Sequence, residues 1–159
     1  MLRFFFILLL SLIFKIDFSY SASIKFVGAC DEKALIETNI DLDKNKNISL
    51  GKFTLEILEQ FNIPYIGSEY GFNSIFQTPT GINAIEVISE TNFLAYGWCY
   101  SLNGFSPEVY PHEILVKSDD EVKWWFGYAT FQDGQWVTQC TPSYLRKSLK
   151  FCLKTNESP

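Results

Sequence analysis

The chain has 159 residues, 47% of them hydrophobic, 17% aromatic and 19% charged, which is one domain's worth of sequence with enough apolar surface for a packed core and excludes a disordered chain. Thirteen Lys and Arg against eighteen Asp and Glu give a net charge of −5, which offers a phosphate backbone no broad attraction, so no nucleic-acid partner is expected. The lone His112 argues against a His-rich metal site and against a His-based catalytic pair.

The first segment reads as an export signal. Arg3 precedes an apolar run from Phe4 to Phe14 that suits a secretory signal and is short for a bilayer span. A small-residue patch, Ser19 to Ser23, fits cleavage after Ser21 or Ser23, so residues 1–21 are assigned to the signal. No later stretch is long and apolar enough to cross a membrane, so the product is expected to be secreted or periplasmic, with no transmembrane segment once the signal is removed. Cys30, Cys99, Cys140 and Cys152 all lie beyond it. An even count in an exported chain reads as two disulfides, with three connectivities open on spacing alone. None of the spacings is a metal or redox CxxC motif.

Residues 22–33 read as an ordered leader containing a short strand, Ile24 to Val27. Ile36, Thr38, Ile40 and Leu42 alternate with Glu37, Asn39 and Asp41, the period of a half-buried strand. The polar turn 43–47 and a strand resuming at Ile48 complete an expected hairpin. A helix is predicted over 52–61, with Leu55, Leu58 and Phe61 inward, and it stops at Asn62 before Pro64. Gly67 to Gly71 is a loop. Phe72 to Thr78 is strand-like, and 82–93 is ambiguous between a strand and a core-covering segment. Strands follow at Tyr96 to Leu102, reversing at Asn103-Gly104, and at Val122 to Ala129, where Gly127 marks a close approach or a bulge. Phe131, the Asp133-Gly134 turn and Trp136-Val137 read as a last hairpin. Residues 143–154 are expected to form a short terminal helix. The order is α+β, with one helix packed on a mostly antiparallel sheet.

The helix, Gly67–Ile75 (GSEYGFNSI), Gly97–Gly104 (GWCYSLNG) and Glu121–Ala129 (EVKWWFGYA) together resemble a secreted bacterial domain of unknown function similar to the C-terminal domain of transcobalamin and intrinsic factor. The resemblance covers roughly residues 34–131 and implies a β-grasp-like fold, with 132–159 a disulfide-tied C-terminal extension. It implies the pairing Cys99–Cys140, leaving Cys30–Cys152 to tie the termini. A 99–140 bridge is worth on the order of 4 kcal/mol in the chain-entropy model. In the eukaryotic relatives this domain closes over cobalamin beside a helical barrel. The present chain is too short for a barrel, so a fold and a bias toward ligand binding are what carry over, with no cofactor.

Four features bear on chemistry. Asp41, Asp43, Asn45 and Asn47 have the alternation of a calcium loop, but Lys46 stands where that loop needs Gly and Lys52 where it needs Glu, so a solvated turn is expected and no metal site. Glu69, Glu108, Glu113, Asp119, Asp120 and Glu121 would be the acids of a glycosidase, which needs two carboxyls flanking one bond, and nothing pairs them. Trp98, Tyr100, Trp124 and Phe126 share strand faces expected in the core. Tyr70, Trp125, Tyr128 and Trp136 are the candidate ligand platform, the competing expectation being that residues 132–159 fold back over it. These features predict a non-enzymatic module that binds a small molecule or a partner's surface. An envelope structural or protein-interaction module is the alternative, and a hydrolase with paired carboxylates a third reading.

Overall fold

A computed structural model describes residues 21–42, 47–146 and 152. Among the described residues the chain is mostly β with one α-helix, its main sheet curled into a mixed half-barrel. The strands are β1 (Ser21–Val27), β2 (Ala34–Asp41), β3 (Ile48–Ser49), β4 (Tyr65–Ser68), β5 (Gly71–Ile75), β6 (Ile85–Val87), β7 (Asn92–Leu102), β8 (Leu115–Val116), β9 (Glu121–Gln132) and β10 (Gln135–Pro142); the helix α1 is Leu50–Gln60. The main sheet runs β2-β1-β9-β7-β6, and β10 also pairs with β9. All its pairings are antiparallel except β1 with β9, in which Ser23 lies opposite Glu121 and Val27 opposite Trp125.

Strand β9 organises this sheet. Along one edge it pairs with β7 over its whole length, from Val122–Leu102 to Gln132–Asn92. The other edge is divided. Its first half takes β1 and its second half takes β10, which runs back from Gln135 to Pro142 opposite Gly127. The segment read as a leader is thus an inner strand with Ile24 and Phe26 fully buried, and the segment read as an extension contributes β10. The two strands converge beside Phe126, where buried Ser143 lies within hydrogen-bond reach of the carbonyls of Ala29 (3.1 Å) and Phe126 (2.8 Å).

The hairpin expected between 36–42 and 48–50 does not form. The alternation in β2 is as read, but its partner is β1, and β3 pairs with β8 instead. The reason lies at Ser49, whose hydroxyl accepts the Lys52 amide at 3.2 Å and caps α1, so that the chain turns into a helix at Leu50. Residues 43–46 lie outside the described ones.

The buried stripe of α1 is Leu50, Phe53, Thr54, Ile57 and Leu58. Leu55 is only half-buried and Phe61 is 43% exposed, contrary to the expected inward set. A constant step of three residues falls about 60° short of a full turn and drifts off the core, whereas steps alternating between three and four hold one face. Asn62 does end the helix, in a left-handed conformation (φ 52°), with the Ile63 amide donating back to the Leu58 carbonyl at 2.8 Å.

Helix α1 packs against Ile24, Phe26, Val122 and Trp124 in one core. A smaller cluster of Ala84, Leu94, Tyr96 and Phe126 lies further along the sheet. Trp124 and Phe126 are buried, while Trp98 and Tyr100 are half-buried and pack against the cores. The 82–93 segment resolves into a 3-10 turn (Gly81–Ala84) and edge strand β6. The terminal helix is described only as a 3-10 turn, Ser143–Leu145; most of its remainder lies outside the described residues.

One buried polar chain joins helix to sheet. The Trp124 indole N–H donates to the Thr54 hydroxyl at 3.0 Å, and that hydroxyl donates to the Leu50 carbonyl at 2.8 Å. Thr54→Val should cost about 1–3 kcal/mol in a denaturant titration, because the indole N–H would be left buried without an acceptor, whereas Thr54→Ser keeps the relay and should cost less.

A second prediction concerns alkaline pH. Burial first, and the Glu113 carboxylate second, push the Tyr100 phenol above its ordinary 10.0. The hydroxyl donates to the Val109 carbonyl, so the fold favours the protonated form. The stability this supplies is complete below pH 10.0 and is lost as pH rises through the higher folded-state value. Tyr100→Phe should therefore flatten the fall in stability above pH 10.0, read as the slope of unfolding free energy against pH.

Candidate functional site

The register of β7 on β9 sets up a shallow trough on the sheet face away from α1. Opposite pairs on this face are Phe93–Phe131, Ala95–Ala129, Gly97–Gly127 and Cys99–Trp125. Small residues in the middle leave a floor of backbone and methyl groups, and the concavity holds about 220 Å³, with Gln139 and Cys140 at its β10 side.

The Cys99–Cys140 disulfide bounds one end. It joins β10 to β7, which lie on opposite sides of β9, so their backbones would stand about 9.5 Å apart in a flat sheet. The observed Cα–Cα distance is 5.7 Å. The reach is closed by a bulge in β10: Thr138 faces Thr130 and Thr141 faces Tyr128, and Cys140 within the bulge has a φ of 56°. Gly127 makes room for it. A Cβ there would lie 2.9 Å from the Thr141 carbonyl oxygen and 3.1 Å from the Trp125 indole nitrogen. The sequence expectation of a close approach at Gly127 therefore holds, with the bulge on the neighbouring strand. The other disulfide ties Cys30, after β1, to Cys152 in the C-terminal region, with Cα atoms 5.3 Å apart.

One step along the same face beyond Ala95–Ala129, next to the residues that line the concavity, stands a wall of three aromatic rings. Phe93 and Phe131 stack at 4.6 Å, and Trp136 stands edge-on to both, at 5.6 and 5.3 Å. Trp136 remains 52% exposed.

The four residues of the predicted platform are distributed over three places. Trp136 is in this wall. Trp125 is on the same face but only 7% exposed, because β10 covers it and its indole N–H donates to the Cys140 carbonyl at 2.9 Å. Tyr128 points to the opposite face and packs on Tyr96 at 5.6 Å. Tyr70 lies in the β4–β5 turn, 57% exposed, with its ring 4.3 Å from His112. They do not form one platform: a strand's alternation separates Tyr128 from Trp125, and the β10 bulge hides Trp125. Phe93 and Phe131 were missed, although a two-residue Asp133-Gly134 turn places Phe131 opposite Trp136 by counting alone.

Three of the six acids considered for a glycosidase serve local structure. Glu113 accepts from the Tyr110 amide at 3.0 Å, Asp120 accepts from Asn103 and from the Lys117 amide, and Glu121 pairs with Lys25. None of the six lines the trough or either of two further cavities, around Thr78 and around Ala29. His112 sits between Tyr70 and Tyr110 in a 3-10 turn, Pro111–Glu113. No group of three His, Cys, Asp or Glu that could hold a metal ion exists among the described residues, of which the calcium-loop positions 43–46 are not part. Among those residues no helix is long and apolar enough to cross a membrane.

No protein-family model matches the chain, and no curated protein matches it. Among solved structures it is similar to a protein from Ruminococcus gnavus described as a "putative metal binding protein", at 15% identity and a TM-score of 0.40, over 67% of this chain and 94% of that one.

Gly127→Val should destabilise the protein by about 1–3 kcal/mol, by pressing a side chain against Thr141 and Trp125. Gly97→Ala, where a Cβ meets nothing within 4 Å, should be nearly neutral in the same thermal melts.

Proposed function

We propose that this protein is an exported, non-enzymatic binding module that receives a flat or extended apolar group of a small-molecule ligand in the trough of β7, β9 and β10. The observation that carries the reading is the Phe93–Phe131–Trp136 wall, with Trp136 exposed, standing beside a floor of glycine and alanine. Aromatic rings gain most when they desolvate against another flat surface, and a glycine-alanine floor lets a ligand approach the backbone closely. Ligand pockets commonly run from about 300 Å³ upward, so this trough would grip part of a ligand rather than enclose it.

Two disulfides point to an oxidising, extracellular compartment, which supports reading residues 1–21, outside the described ones, as an export signal to the periplasm or medium. The strand pair β1–β2 followed by α1, with β1 parallel to β9, supports the β-grasp-like reading and the resemblance to the C-terminal domain of transcobalamin and intrinsic factor. In this reading that kinship extends to architecture and to a ligand-binding habit.

The test is thermal shift and Trp fluorescence with corrinoids and cell-wall fragments. A ligand of this site should raise the melting temperature and perturb Trp136 emission, and Trp136→Ala should weaken it about tenfold or more while leaving the fold intact. Binding that survives Trp136→Ala, or no shift with any compound, would remove the trough from consideration.

A second reading, an envelope protein-interaction module, draws on the short edge strand β6 and the 3-10 turn before it, where Val87 and Ile82 are 73% and 82% exposed. Pull-downs from envelope extract in which Val87→Lys abolishes a reproducible partner would favour it.

A further inference from the structure

Away from the trough, the β4–β5 hairpin and the 3-10 turn Gly81–Ala84 enclose a cleft of about 350 Å³. Pro64, Tyr65 and Ile66 contribute ring and aliphatic surface, and Gln77, Thr80 and Asn83 contribute amides and a hydroxyl. None of the residues lining it is charged. The Gln77 and Asn83 side chains are exposed, and neither amide has a hydrogen-bond partner among the described residues.

The chain reaches this geometry through an unfavourable turn. Phe76 and Gln77 both have left-handed backbones, with φ of 56° and 59°, in a tight reversal closed by the Thr78 amide on the Ile75 carbonyl at 3.2 Å. Asn-Gly is the usual occupant of such a turn, and a bulky residue there is strained. Tertiary contacts impose it. The Phe76 amide donates to the Pro64 carbonyl at 2.9 Å, the Ser74 hydroxyl to the Thr78 carbonyl at 2.7 Å, and the Trp98 indole to the Thr78 hydroxyl at 2.8 Å. The Phe76 ring lodges against Phe26 at 6.0 Å. The result fixes Gln77 at the cleft mouth, and backbone strain maintained by its surroundings gathers at ligand sites.

We infer that this cleft is a subsite for one uncharged sugar ring. Amides and hydroxyls both donate and accept, which matches the hydroxyls of a saccharide, while the π face of Tyr65 and the ring of Pro64 offer flat apolar surface to the C–H face of the sugar. An ionic ligand would surrender its hydration without a counter-charge to meet it. The residues involved are separate from the trough, so this site stands or falls independently of the function proposed above.

The experiment is proton–nitrogen correlation NMR of the exported protein titrated with N-acetylglucosamine and maltose, and in parallel with glucuronic acid and glucosamine. The neutral sugars should give saturable shifts at Tyr65, Ile66 and 77–83, with weak, millimolar-range affinity for a single ring. Gln77→Ala and Asn83→Ala should each weaken binding about fivefold, as expected for loss of one hydrogen bond. Both side chains are exposed, so a dispersed spectrum will show that the variants fold. Trp136→Ala should leave the titration unchanged. The inference is overturned if neither neutral sugar gives a saturable shift, if the charged sugars bind equally well, or if the Gln77→Ala/Asn83→Ala double variant binds as the wild type does. Neutral-sugar shifts confined to the Trp136 region would overturn it too, while leaving the trough standing.

Discussion

Buried strands must satisfy their peptide groups on both edges, and β9 is the strand on which that requirement falls hardest. Trp124, Trp125 and Phe126 at its centre are all buried, so its backbone there has no recourse to water. No single strand of this chain meets its second edge along the whole length. The solution is two strands from opposite ends of the sequence, β1 and β10, arriving from opposite directions. Their junction beside Phe126 would leave carbonyls exposed to a gap, and Ser143 fills it with a buried hydroxyl.

The same junction shapes the outer face. Because β10 joins β9 only from Gly127 onward, its bulge can lift over β9 and carry Cys140 to Cys99. That crossing buries Trp125 and closes over Gly127, and leaves the further part of the face open beside Gly97, Ala95 and Ala129. The trough is thus the remnant of a face half covered by its own chain. On the inner face α1 performs the covering, and the Trp124–Thr54–Leu50 relay fixes its position without leaving a polar atom unpaired along that line.

Local signals were legible in the sequence. The helix, the turns at Asn103-Gly104 and Asp133-Gly134, and the alternation of Ile36, Thr38 and Ile40 follow from periodicity and from residues that tolerate positive φ. Pairing partners were not legible, because alternation says that a strand has an inside without saying what lies beside it. Hence β2 looked like one arm of a hairpin with 48–50 when its neighbour was β1. Tyr70, Trp125, Tyr128 and Trp136 are alike only in carrying aromatic rings, and strand register and the β10 bulge place them in separate surroundings. The turn at Phe76-Gln77 had no sequence signature at all, since contacts from Pro64 and Trp98 impose its backbone against local preference.

The split edge has a kinetic side. Strands β7, β9 and β10 follow one another and can zip together as neighbours, but Ser23 must find Glu121 across most of the polypeptide. Until it does, the half of β9 that carries Trp124 and Trp125 presents unpaired amides and carbonyls, an open template for another molecule's strand. Newly made chains would be most prone to stick to one another in that interval, and the rate at which β1 threads home would set how many survive it.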